Sequence, residues 1–382
     1  MTPRTDKTPV IGLFAWTNTH SIRQVVFNLA HHLKTRGVTP VIITADILFD
    51  RQGPFTNVES GIRVYRIGCL PGPRWAIVPH VFLSIFQVPI IILRENISIA
   101  HIFTCGLEGC VTSILFFLWR VPYVITFLNL ASFRPYRRRP LLLFVRYWMV
   151  ARAHRCSVVS EYIRERALRW LKPDDKKIER IPLGIPAGLR SRPPAPSMKR
   201  DYVVSIANAM PVKGIDVLLY AFSLFIQKNP QSKIDLVVAG MVTGTRRLED
   251  LIDLLGLGKR VQLVGETPHE TAVDYMAHSL FYVQPSRNES FGLAVLEAMG
   301  LGKAVLVSNI GGLRDFCEHD KNAWLVEPQD AEALAVGIDR LAGDPSLRDR
   351  LGKEGQRTAL TMTWDRLGPR YLSLYPSPLR GN

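Results

Sequence analysis

At 382 residues the chain exceeds what one ordinary hydrophobic core organises, so two domains are expected. A composition of 47% hydrophobic and 21% charged residues excludes a disordered chain. Residues 1–200 hold 29 Lys+Arg against 11 Asp+Glu and residues 201–382 hold 19 against 22, so the net charge of +15 lies wholly in the first half. No recognisable nucleic-acid motif accompanies this charge, which leaves an anionic membrane, an acidic polymer or plain solvation as its use.

The first residues, Met1 to Pro9, are polar and lack the apolar core of a signal peptide, so a cytoplasmic protein is expected. Short apolar runs then read as strands at Val10 to Trp16, Val41 to Thr44, Ile62 to Ile67, Ser98 to Phe103 and Tyr123 to Phe127. Between the first two lies a helical stretch, Ile22 to Lys34, with Val25, Leu29 and Leu33 at four-residue spacing. The run Ala76 to Leu93 carries no charge and reads as a core helix, with interfacial membrane contact as the alternative. The basic cluster Arg134 to Pro140, followed by the apolar and aromatic Leu141 to Met149, fits either a monotopic membrane contact or a core helix beside a solvated loop. The cysteines, Cys69, Cys105, Cys110, Cys156 and Cys317, are odd in number and hold no Cys-x-x-Cys pair. Neither a zinc site nor a disulfide framework is expected from them.

Pro186, Pro193, Pro194 and Pro196 cluster in an aperiodic run between Gly184 and Arg200, the pattern of an extended linker. The alternation then restarts, with strands at Tyr202 to Ala207, Ile234 to Ala239, Val261 to Val264, Phe281 to Gln284 and Ala304 to Val307. Helices are expected at Asp216 to Asn229 and at Ala331 to Ala342. The expected architecture is α/β: two Rossmann-like, doubly wound domains facing across an interdomain cleft. Their boundaries are set at 1–185, at a hinge of 186–200 and at 201–361, with a last helix over residues 362–375 packing back on the first domain.

After the strand at Phe281, Glu289 and Glu297 straddle Gly292 with seven residues between them. Leu293, Leu296 and Gly300 share one helical face, so free amides around Phe291 to Leu293 form the positive end of a helix and suit an anionic ligand. Glu297, further along, is placed to accept hydrogen bonds from sugar hydroxyls, and a nucleotide-sugar offers both kinds of group.

Several segments together resemble the retaining family 4 glycosyltransferases, whose fold is termed GT-B. They are Lys213-Gly214, Val237-Val238-Ala239-Gly240, Val261 to Gly265, Gln284-Pro285-Ser286, Glu289 to Met299, Gly302-Lys303-Ala304-Val305, Gly311-Gly312 and Asn322 to Val326. In the first half the resemblance rests on Leu29 to Leu33 before Arg36-Gly37, on Val121 to Val124 and on Val158 to Glu161. It implies that Lys213 pairs with the donor pyrophosphate, that Glu289 faces the donor sugar and that Glu297 binds the ribose. It also implies that Ser290, Phe291, Gly292 and Leu293 form the donor loop, and that Gly265 and Glu266 lie beside the base.

The implied reaction is retaining, metal-independent transfer of a hexosyl group from a UDP- or GDP-sugar, a co-substrate rather than a cofactor. The expected acceptor is lipid-linked or a polysaccharide in cell-surface glycan synthesis, handled at the inner face of the cytoplasmic membrane. A catalytically inactive nucleotide-sugar-binding scaffold is the alternative. This sequence departs from the family at three places. Asn208 stands where an Arg commonly precedes the Lys, Thr17 to Ser21 replaces a Gly-rich loop, and Leu128-Asn129 stands in place of a His. Thr19, His20 and Arg23 are the candidates to supply phosphate or acceptor contacts in their stead.

Overall fold

The computed structural model describes residues 8–16, 20–44, 56–67, 77–103, 106–129, 140–190, 198, 200–240 and 246–376. Thr17 to Thr19, Cys69, Cys105, the basic cluster Arg134 to Arg139 and the linker residues 191–197 lie outside them. The chain divides into two units, one of residues 1–184 with 364–382 and one of residues 185–363.

In the first unit the strands are β1 (Val10–Ala15), β2 (Thr39–Thr44), β3 (Thr56–Glu59), β4 (Ile62–Arg66), β5 (Ile99–Ile102), β6 (Tyr123–Phe127), β7 (Arg155–Val158) and β8 (Ile178–Arg180). Its helices are α1 (His20–Thr35), α2 (Ile77–Glu95), α3 (Leu107–Leu118), α4 (Pro140–Arg152) and α5 (Glu161–Leu171). The sheet order is β3-β4-β2-β1-β5-β6-β7-β8, parallel except for the antiparallel β3–β4 pair. Strands β1, β5 and β6 are almost wholly buried and apolar, as a sheet covered on both faces requires. Right-handed crossovers put α1, which leads away from the centre in one direction, on one face. The same rule puts α2, α3, α4 and α5, which lead the other way, on the opposite face.

Helix α1 buries Val25, Leu29 and Leu33, as their spacing implies. Helix α5 starts at Ser160, whose hydroxyl accepts from the Ile163 amide, and stops at Lys172 in the left-handed region. Helix α2 corrects the expectation of a core helix. It buries Val88, Ile91 and Ile92, yet Phe82, Phe86 and Ile90 stand 61%, 57% and 61% exposed. Among the described residues no helix is long and apolar enough to cross a membrane.

The second unit holds β9 (Tyr202–Ile206), α6 (Ile215–Lys228), β10 (Asp235–Ala239), α7 (Arg246–Leu254), β11 (Val261–Gly265), α8 (His269–His278) and β12 (Tyr282–Gln284). It continues with α9 (Leu293–Gly300), β13 (Val305–Ser308), β14 (Trp324–Val326), α10 (Ala331–Gly343) and α11 (Pro345–Thr361). The all-parallel sheet runs β11-β10-β9-β12-β13-β14, over a core that includes Leu218, Phe222, Val238, Phe281 and Ile338. From β9 the order steps one way, and from β12 it steps the other. The loops leaving these two neighbours therefore diverge at a topological switch point, where open α/β sheets take their ligands.

The last helix, α12 (Trp364–Ser373), belongs to the first unit, where Arg370 pairs with Glu179 at 2.9 Å. Just after it, the Tyr375 hydroxyl meets Nδ1 of His101 on β5 at 2.8 Å. His101 Nε2 lies 2.6 Å from Thr126 Oγ1 on β6, which lies 2.6 Å from Ser157 Oγ on β7. The hydroxyl partners can donate or accept, so they satisfy both ring nitrogens, and it is burial that opposes the charged form. Complete burial holds the His101 pKa down at about 3. The unfolded state therefore binds a proton that the folded state refuses between the ordinary value of 6.5 and about 3. Stability of the first unit should fall by about 1.4 kcal/mol per pH unit on acidification through that window. Denaturant melts at several pH values test this, and His101→Gln should remove the slope.

Candidate functional site

Two loops build the candidate site. The first leaves β9 and ends in a 3-10 turn, Pro211–Lys213, with Pro at its first position. Gly214 follows at φ 66° and caps α6. A Cβ there would lie 2.0 Å from the Pro285 carbonyl oxygen, so only glycine lets this loop touch the one after β12.

That second loop runs from Pro285 to Gly292. Arg287 sews the two loops together. Its amide donates to the Val212 carbonyl at 2.8 Å, and its guanidinium donates to Pro211 O at 2.6 Å and to both Asp216 oxygens at 2.8 and 2.9 Å. The fork-to-fork geometry is a strong charge-assisted contact, and it holds the Asp216 carboxyl below the usual carboxylate range.

Held in this way, Lys213 Nζ donates to Glu289 Oε2 at 2.8 Å. Gln284 Nε2 donates to the same oxygen at 2.9 Å. Glu289 is fixed from behind as well, because its carbonyl accepts from the Gly312 amide at 3.0 Å. Gly311, at φ 49°, would set a Cβ 2.1 Å from that carbonyl oxygen, which explains the glycine pair. An ammonium has three protons, so one spent on Glu289 leaves two for other acceptors.

Gly292, at φ 101°, is the N-cap of α9, which has no side-chain cap. Leu293 and Ala294 open the helix, whose first amides have no carbonyl partner within it. Phe291 is buried and packs on Phe316 with centroids 5.3 Å apart, so this residue offers its backbone and not its ring to the loop surface. Ser290 and Leu293 are half-buried beside it.

Glu297, one turn into α9, is only 5% exposed. Its Oε1 lies 2.7 Å from Nε2 of His269, the first residue of α8. That hydrogen bond raises the His269 pKa above its ordinary value of 6.5 against the opposing effect of burial. Tyr282 on β12 is wholly buried, and burial, added to by the fields of Glu289 and Glu297, pushes its phenol well above the ordinary value. Glu289 lies on the loop that leads into α9, and Glu297 lies one turn inside that helix.

The other sequence candidates sit as follows. Gly265 ends β11 at φ 80° and its carbonyl accepts from the Gly240 amide at 2.7 Å, with the exposed Glu266 next in the chain. Asn208 spends its side-chain oxygen on the Met210 amide at 3.3 Å and so shapes the turn before Lys213. In the first unit, Arg23 is ion-paired with Glu59 at 2.7 Å, and Leu128 is buried. His20 opens α1, and Thr19 lies outside the described residues. Sequence reasoning missed Gln284, Arg287 and His269. Their signal was position alone, at the end of β12, in the loop that follows it and at a helix start. Among the described residues no group of three His, Cys, Asp or Glu side chains is placed to hold a metal ion.

Two family models match consecutive stretches of the chain, "Glycosyltransferase Family 4" over residues 22–188 and "Glycosyl transferases group 1" over residues 190–358. The chain belongs to the family 4 glycosyltransferases. The chain is 27% identical over 393 residues to the D-inositol 3-phosphate glycosyltransferase of Corynebacterium jeikeium (strain K411), covering 93% of this chain and 92% of that one. Against the protein of the same name from Corynebacterium urealyticum (strain ATCC 43042 / DSM 7109) it is 30% identical over 171 residues. That match covers 44% of this chain and spans less than half, 40%, of the relative. In fold it is similar to sucrose-phosphate synthase (tll1590) from Thermosynechococcus elongatus, with TM-score 0.81 and 23% identity over 96% of this chain and 98% of that one. Anabaena Alr3699/HepE, solved in complex with UDP and glucose, aligns with TM-score 0.76 and 17% identity over 95% and 98% of the two chains. Two parallel-sheet α/β domains are the GT-B fold class.

The raised pKa of His269 sets how the stability of the second unit depends on pH. Its charged pairing with Glu297 is fully present below pH 6.5 and is lost as pH rises through the higher folded value. Unfolding free energy of the second unit should therefore drop as pH is raised above 6.5, and His269→Gln should flatten the curve. A pH series of denaturant melts with and without the substitution checks this.

Proposed function

We propose that the transferase moves a hexosyl group from a UDP- or GDP-sugar, with retention at the anomeric carbon, to a lipid-linked or polysaccharide acceptor in cell-surface glycan synthesis. It works at the cytoplasmic face of the membrane and without a metal ion. The observation that carries the reading is the Lys213–Glu289 pair at the β9/β12 switch point, with Glu297 on the helix that follows the Glu289 loop.

Each group has a part in this chemistry. Lys213 offsets the charge that grows on the leaving diphosphate, aided by the amides opening α9, and such preorganised charge is the largest source of rate in reactions of this kind. Lysine here replaces what a divalent cation would otherwise supply. Glu297 accepts from the ribose hydroxyls, with His269 engaging one of its two oxygens. Glu289 faces the donor sugar and orients Lys213. Gly265 and Glu266 border the base, and the leaving phosphate takes the acceptor proton on the same face of the sugar.

The names of the relatives support a second acceptor class. A match to D-inositol 3-phosphate glycosyltransferase over 92% of its length favours a small phosphorylated polyol as the alternative to a lipid. UDP-, GDP- and ADP-sugars, each offered with membrane extract and with inositol phosphate, distinguish these when nucleotide release is followed. Turnover is expected with one donor, and Lys213→Ala or Glu297→Ala should lower it by about 100-fold or more. Tight nucleotide binding with no turnover on any pair would establish the scaffold reading instead.

A further inference from the structure

The layer of α2, α3 and α4 has an outer face that its fold does not use. Three residues of α2, Phe82, Phe86 and Ile90, repeat every four positions and form one exposed stripe. The Phe82 and Phe86 rings contact each other edge-on at 5.3 Å. Helix α3 adds Phe117 and Leu118, exposed by 48% and 62%, and α4 adds Phe144 at 66%. The three helices pack side by side in that order on one face of the sheet. Isolated exposed apolar side chains need no explanation, but large exposed aromatic and aliphatic side chains on three neighbouring helices do.

Charge decides what covers it. Helices α2, α3 and α4 carry only two carboxylates, Glu95 and Glu108. Glu95 is paired with Arg63, and Glu108 is buried. On the rim, Arg152 lies over the Phe117 ring at 5.1 Å. The same Arg152 lines a concave surface with His154, Arg155, Lys176 and Lys177, whose one carboxylate, Asp174, caps the Lys176 amide. An apolar face free of exposed acids and bordered by a basic hollow matches a bilayer interface, apolar below the headgroups and anionic at them. A second copy of the same chain would bring the basic rim against itself.

We infer that the α2–α3–α4 face is a monotopic docking surface for an anionic lipid bilayer, with Phe82, Phe86, Ile90 and Phe117 entering the headgroup boundary and the Arg152–Lys177 hollow holding lipid phosphates. It deepens the reading of a lipid-linked acceptor and rests on it only for its purpose, since the binding itself is independent of turnover.

Co-sedimentation of the full chain with phosphatidylcholine vesicles, with and without phosphatidylglycerol, tests the inference. Binding is expected only with phosphatidylglycerol and should weaken as salt rises. Phe86→Asp combined with Ile90→Asp should lower it about tenfold or more. Arg155→Gln combined with Lys176→Gln should lower it by about fivefold per charge removed, independently of any folding fault in the first variant. Nucleotide release measured on the same samples with the soluble polyol acceptor keeps failure of docking distinct from failure of the transferase reading. Wild-type protein that ignores anionic vesicles overturns the inference, as does binding by both variants as tight as that of the wild type. A concentration-dependent dimer that Phe86→Asp with Ile90→Asp dissolves, in the absence of vesicle binding, would assign the face to a second copy.

Discussion

The second unit depends on one short contact, the 2.8 Å approach of Lys213 to Glu289. Neither residue is placed by its own helix or strand. Each sits on a loop leaving one of two adjacent parallel strands, and those loops are kept together by Arg287 on one side and by the Gly214–Pro285 contact on the other. A basic group reaching a carboxylate there fixes both side chains at the point where the sheet opens to ligands. Strand order, the glycines and the arginine fork are three separate devices with one geometric result.

A similar logic holds in the first unit, where a polar chain and not a charge pair is the fastening. The series Tyr375, His101, Thr126 and Ser157 ties the segment after α12 across three strands of the sheet. Because each member is buried and satisfied only by the next, the chain specifies one seating of the C-terminal segment. The opposite signs of the His101 and His269 shifts follow from their neighbours. One ring is enclosed by neutral groups and stays neutral, whereas the other faces a carboxylate and holds its proton.

Much of the fold was legible in the sequence because central parallel strands are continuous apolar runs. Val10 to Trp16 and Tyr123 to Phe127 could hardly be read otherwise. The strands that escaped notice lack that signature. β3 is an edge strand of Thr, Asn, Val and Glu, β7 reads Arg-Cys-Ser-Val, and β8 and β14 have three residues each. Composition misled at α2, since an uncharged helix looks the same whether one face or all of it is buried. At the site, Lys213, Glu289 and Glu297 were legible through the ordered motifs around them. Arg287 and His269 were not, because Arg287 meets Asp216 across 71 positions and His269 meets Glu297 across 28. Pairings at that distance are decided by strand order, which local sequence does not display.

The central claim is that Lys213 and Glu289 act as one unit at the switch point. A double-mutant cycle on donor turnover, built from Lys213→Met, Glu289→Gln and the combination, tests it most directly. Strong non-additivity is predicted, with the double variant little worse than the poorer single one, as for groups that work together. Independent, multiplicative losses would contradict the account and separate the two residues into unrelated roles.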